Sequence, residues 1–198
     1  MRRPSAKLQQ DRREEILEAA RRCFARMGFH QTSMQQICLE ARMSPGNLYR
    51  YFPSKEAIMA GIAERDRAEV GAELAKAQEA PDFFGTLEVL AQHHLVERSM
   101  DDVGLCAEMV AESRRNPTIG RIMRDFDVEV RTQLTAMLRA ARERGDVSPD
   151  VNIDDVITTV ILFADGVWWR RAVHPDFDPA PTVPIFMNIM RYMLLGTA

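Results

Sequence analysis

Between Gly28 and Lys55 the chain reads GFHQTSMQQICLEARMSPGNLYRYFPSK, a stretch that accommodates two short helices and a tight turn. Thr32 and Ser33 are N-cap candidates, because a hydroxyl accepts a bond from an otherwise unpaired N–H in the first helical turn. Met34, Ile37, Cys38 and Ala41 then recur at the spacing of one helical face, which predicts that this face is buried. Ser44 caps a second helix, with Pro45 at the first helical position, where its missing N–H costs nothing. The connection runs from Arg42 to Ser44, so the pair reads as a helix-turn-helix.

The second helix, Pro45 to about Phe52, carries the unusual composition. Leu48 and Phe52, four apart, anchor it to a core and leave Pro45, Gly46, Asn47, Tyr49, Arg50 and Tyr51 towards or beside the other face. A helix in a DNA major groove needs side chains that reach base edges, with hydroxyls and cations for the flanking phosphates. Asn47, Arg50 and the two tyrosines supply both. A solvated helical hairpin would share this pattern, and composition alone leaves the two readings open.

Gly28-Phe29, Thr32-Ser33-Met34, Ile37, Ala41, Ser44, Gly46, Leu48-Tyr49, Tyr51-Phe52 and Ser54-Lys55-Glu56 together resemble the DNA-binding domain of the TetR (tetracycline repressor) family. The resemblance covers roughly the first 60 residues. It implies a dimeric, ligand-responsive transcriptional repressor whose second motif helix enters the major groove. The candidate DNA-binding residues are Thr32, Ser33, Gln35, Arg42, Ser44, Pro45, Gly46, Asn47, Tyr49, Arg50, Tyr51 and Lys55. Of these, Tyr49 and Lys55 are expected to hold phosphates, and Asn47 and Arg50 to read bases. Two positions depart from the family pattern, which usually has glycine at Arg42 and commonly alanine at Cys38. Arginine lacks glycine's easy access to positive φ, which predicts a strained or reshaped turn, with a phosphate contact as Arg42's other possible role.

The charge distribution supports one-ended binding. Residues 1–60 hold 11 Lys/Arg against 6 Asp/Glu, a net of +5, whereas residues 61–198 hold 15 against 23, a net of −8. A basic front on an acidic body approaches DNA by that front. Arg2, Arg3 and Lys7 fall in a stretch without apolar periodicity, read as a flexible basic arm over residues 1–10. No apolar run approaches the ~20 residues of a membrane span, and no signal-type stretch follows the N-terminus, so a cytoplasmic location with no membrane partner is expected. Cys23, Cys38 and Cys106 are too few and scattered for a disulfide framework or a compact metal site, and read as reduced apolar fillers.

Helical periodicity continues to the C-terminus, giving an all-α fold. A three-helix helix-turn-helix domain over residues 11–55 precedes a helical effector-binding and dimerisation domain over residues 56–198, entered by a linking helix over about 55–79. Adjacent His93 and His94 would point about 100° apart on an α-helix, too divergent for one metal, so no metal or other cofactor is expected. Twelve methionines suggest an adaptable, largely apolar cavity for a small-molecule effector, with Leu90, His94, Met109, Met123, Phe126 and Trp168 as candidate lining.

The last two helices are more apolar than one chain requires. Ile161, Ile185, Phe186, Ile189 and Met193 are the candidate homodimer interface, as half of a four-helix bundle, with a purely intramolecular core as the alternative. The segment Asp165-Gly166-Val167-Trp168-Trp169-Arg170 resembles a terminal helix of the TetR subgroup that includes betaine-pathway repressors. A phosphate-cradling Gly-rich loop, HExxH, GxSxG and CxxC are all missing, so no catalytic residues are assigned. The expected partner is double-stranded, palindromic operator DNA; an enzyme and a protein-only interaction module are the competing classes.

Overall fold

The computed structural model describes residues 6–196, and these form helices without strands. The order is α1 (Ala6–Met27), α2 (Met34–Glu40), α3 (Pro45–Tyr51), α4 (Lys55–Glu79), α5 (Phe83–Ala91), a π-helical turn (Gln92–Glu97), α6 (Met100–Ser113), α7 (Pro117–Arg144), α8 (Ile153–Val173) and α9 (Thr182–Leu195). Among the described residues no helix is long and apolar enough to cross a membrane. The helix stops are those of the sequence: Gly28 and Gly145 take positive φ, 79° and 88°, directly after or just past α1 and α7. Asn152 caps α8, its side chain accepting from the Asp154 N–H. α1 starts five residues earlier than the reading of a flexible arm over residues 1–10 allows, so Lys7 is helical. Arg2 and Arg3 lie outside the described residues.

The chain divides into two compact units, and the boundary differs from the expected break after residue 55. The first unit comprises residues 1–66 together with 101–125. Its core is built by Ile16, Leu17, Phe24, Ile37, Leu48, Phe52, Ile58 and Ile62, joined by Leu105, Met109 and Ile119 from α6 and α7. The helix-turn-helix is thus completed by a segment distant in sequence. Buried Arg21 of α1 pairs with Asp66 and with Asp102, so its guanidinium is neutralised by carboxylates from α4 and α6.

The second unit comprises residues 67–100 and 126–198. Leu74, Phe83, Leu87, Leu95, Leu134, Leu138, Ile157, Val167, Phe186 and Met190 form its core. Its irregularity is the π-helical turn, where six residues depart from the α-helical register and free backbone carbonyls. Side chains of α8 satisfy them: Trp168 Nε1 donates to the His94 carbonyl at 3.0 Å, and Arg171 Nη1 donates to that of Leu95 at 3.2 Å. This turn corrects the expectation for the histidine pair. The wider π turn reduces the angle between successive side chains, and the His93 and His94 rings converge to 5.1 Å between centroids.

Candidate nucleic-acid interface

The reading head is positioned from behind. Glu40, at the end of α2, accepts from Arg22 Nε at 2.8 Å and Arg26 Nη2 at 3.4 Å, fastening α2 to α1. Those two guanidinia, Arg22 first, hold its carboxyl below the usual carboxylate range. Ser33 starts α2 through a capping box: the Gln36 N–H donates to Ser33 Oγ at 3.2 Å, and the Ser33 N–H donates to Gln36 Oε1 at 2.7 Å. In the loop between α1 and α2, the Phe29 N–H donates to Glu108 of α6 at 3.1 Å, and His30 Nε2 lies 2.7 Å from Glu112. Sequence reasoning missed both carboxylates, because nothing local marks partners some 80 residues away.

Two candidate DNA-binding residues are occupied inside the fold. Thr32 is 1% exposed, and its hydroxyl donates to the Gly28 carbonyl at 2.8 Å. Lys55 Nζ donates to the carbonyls of Phe29 at 2.7 Å and His30 at 3.2 Å, and stands 4.7 Å over the Phe29 ring. Its ammonium thereby helps to close the loop before α2, while the residue itself stays half-buried. Ser33 is exposed, with its hydroxyl engaged in the capping box.

The remaining candidates share an outward surface. Gln35, Arg42, Ser44, Pro45, Gly46, Tyr49 and Arg50 are exposed, and Asn47 and Tyr51 are half-buried, with Tyr51 packed partly on the core. Leu48, buried at 0%, fixes α3 and thereby aims the rest. Ser44 is the N-cap of α3, yet its side chain makes no capping hydrogen bond. Arg42 adopts φ 53°, the left-handed conformation that the turn demands and that glycine would enter freely. A Cβ added at Gly46 meets no atom within 4 Å, so no contact inside the chain requires glycine there. The surface offers guanidinium, hydroxyl and amide groups and no carboxylate, the chemistry of phosphate and base-edge contact.

Residues 16–62 match the family of bacterial regulatory proteins, tetR family, and residues 87–189 match the C-terminal domain of BetI-type transcriptional repressors. The chain is 32% identical over 145 residues to the HTH-type transcriptional regulator UidR of Escherichia coli (strain K12), covering 72% of each chain. The chain belongs to the tetR family. It is therefore a DNA-binding transcriptional regulator. Its fold is similar to that of Salmonella enterica GusR, with a TM-score of 0.79 and 26% identity over 94% of this chain and 96% of that one. It is also similar in fold to a regulator from Saccharomonospora viridis solved in complex with choline, with a TM-score of 0.74 and 22% identity over 92% and 96% of the respective chains.

In this tetR-family chain the six candidate effector residues do not share one unit. Met109 and Met123 pack in the first unit, Met109 within its core and Met123 against it. Leu90, His94, Phe126 and Trp168 belong to the second unit and are half-buried. A concavity of about 370 Å³ past the end of α8, lined by Arg170, His174, Pro175, Asp176 and Phe177, contains none of the six.

The dimer candidates also separate. Phe186 is 4% exposed and packs on Phe163 with ring centroids 5.3 Å apart, so it serves the chain's own core. Ile161, Ile189 and Met193 pack partly against that core, whereas Ile185 is 53% exposed. Burial pushes the thiols of Cys23 and Cys38 above the usual thiol range.

Proposed function

We propose that this regulator is a homodimeric repressor that holds a palindromic operator and releases it when a small, largely apolar effector binds the second unit. The outward face of α3 carries the DNA part of the reading: Gly46 has open space beyond it, flanked by exposed Ser44, Tyr49 and Arg50. Glycine in a helix costs stability, and close approach of a partner's backbone is a physical reason to keep it.

The dimer rests on an apolar face that the single chain leaves exposed: Leu162 (66%) and Trp169 (67%) on α8, with Ile185, Tyr192 (67%) and Leu195 (54%) on α9. These recur at helical spacing on two neighbouring helices, a pattern that suits a four-helix bundle with a second copy. For the effector, Leu90, Phe126 and Trp168 supply apolar, half-buried surface in the second unit, and a regulator of the same fold is known in complex with choline.

Selection of bound sequences from a random DNA pool tests the proposal. Enrichment of an inverted repeat is expected, with a shifted complex containing two chains. Enrichment of a single unrepeated site would overturn the dimeric reading, and the absence of any enriched sequence would overturn operator recognition.

A further inference from the structure

We propose that Glu73, His93 and His94 form a binding site for a divalent transition-metal ion of the zinc, cobalt or nickel kind. The three side chains come from α4 and the π-helical turn, and one donor atom from each lies within 4.8 Å of the others. His94 Nε2 is 2.9 Å from Glu73 Oε2, and His93 Nε2 is 3.5 Å from Glu73 Oε1. Donors on a tetrahedral ion with bonds of about 2.0–2.1 Å stand roughly 3.3 Å apart, and each imidazole nitrogen lies within about 0.4 Å of that separation from one of the two Glu73 oxygens.

His94 Nε2 and Glu73 Oε2 stand at ion-pair distance, yet hydrogen bonding leaves part of the cluster's capacity unused. His93 Nε2 is buried and has no hydrogen-bond partner among the described residues. Buried polar atoms left in that condition cost free energy, and lone pairs that converge off the line of any ring N–H are offset by a shared cation. The surroundings match those of a metal-bound imidazole. His93 Nδ1 is 3.4 Å from Glu97 Oε2, so with Nε2 as ligand the other ring nitrogen faces a carboxylate that orients it. The His94 backbone is pinned by Trp168 Nε1. Two imidazoles and one carboxylate suit a borderline ion, with the remaining coordination filled by water. A π turn within helical structure is frequently a functional feature, and here it brings adjacent histidines to one point. The site adjoins the effector reading through Trp168 and His94, but its assignment does not rest on that reading.

The test uses the full chain with its cysteines reduced, titrated with Zn²⁺ by calorimetry and with Co²⁺ by visible absorption. One equivalent is expected, with ligand-field bands of nitrogen and oxygen donors. Glu73→Gln, His93→Gln and His94→Gln should each weaken binding at least tenfold, and Glu97→Gln about tenfold while leaving the ligands in place. Circular dichroism checks that each variant is folded. In a Trp169→Phe background, Trp168 fluorescence should respond to Zn²⁺ at the same single equivalent. Unchanged affinity in folded Glu73→Gln or His93→Gln, or a thiolate charge-transfer band with Co²⁺, would overturn the assignment.

Discussion

Arg42 holds a left-handed backbone conformation that costs an L-residue with a side chain roughly 1–2 kcal/mol. Arg42→Gly is therefore expected to raise the stability of the reading head by up to about 1 kcal/mol, read from the urea midpoint. The same change removes a cation beside α3, so the slope of log affinity against log salt should become shallower by about one unit. Greater stability with an unchanged slope would show that this guanidinium touches no phosphate. Gly46 poses the converse case, because open space surrounds it. Gly46→Ala should leave the fold as stable or raise it by up to about 1 kcal/mol, yet weaken operator binding tenfold or more, about 1.4 kcal/mol. Unaltered DNA affinity in this variant would remove α3's glycine from the interface.

At the scale of the element, α2 is tied to α1 through Glu40, and that tie titrates. The folded carboxyl lies below its unfolded value near pH ~4.3, so its stabilisation is present above that pH and is lost as pH falls through the folded value. Glu40→Gln should accordingly lower the thermal midpoint at pH 7, with the difference from the parent chain shrinking as pH falls below about 4. A constant difference across pH would assign the effect to packing. In α8 and α9, Leu162→Asp is expected to give folded monomers by sedimentation. Phe186→Asp, which places a charge in the chain's own core, should unfold the second unit. A folded, dimeric Leu162→Asp would relocate the interface. The helices themselves were legible, since periodicity, Pro45, Gly28 and Gly145 marked their ends. The π turn was not, because an apolar pattern read at 3.6 residues per turn assigns Gln92–Glu97 to an α-helix and then separates its histidines. The fates of Thr32 and Lys55 were equally hidden, since both donate to backbone carbonyls, which every residue type presents. In α9, by contrast, Asn188 and Arg191 mark the exposed face, with Ile185 and Tyr192, and Phe186 falls on the opposite face with Val183 and Met190, so helical periodicity does separate the two.

For the whole molecule, a dimer holding two reading heads selects half-sites whose centres lie one helical turn, about 34–36 Å, or a multiple of it apart. Inserting about 5 base pairs, half a turn, at the centre of the selected repeat should reduce affinity to near that of random DNA, measured by anisotropy at fixed salt. Full affinity for the lengthened site would mean heads that bind independently. The first unit's discontinuity bears on how such regulators exchange parts. The family match to the head ends at residue 62, but the head's core borrows Leu105, Met109 and Ile119, and its α1–α2 loop leans on Glu108 and Glu112. A chimaera joined between residues 62 and 87 would strand the Phe29 N–H and expose apolar side chains worth roughly 1.5–3 kcal/mol each when buried. Residues 101–125 travel with the head or their equivalents must be supplied, so recombination at the apparent seam is penalised. In this chain the N-terminal segment is therefore not a self-sufficient cassette, because part of its core and two of its carboxylate partners lie in residues 101–125.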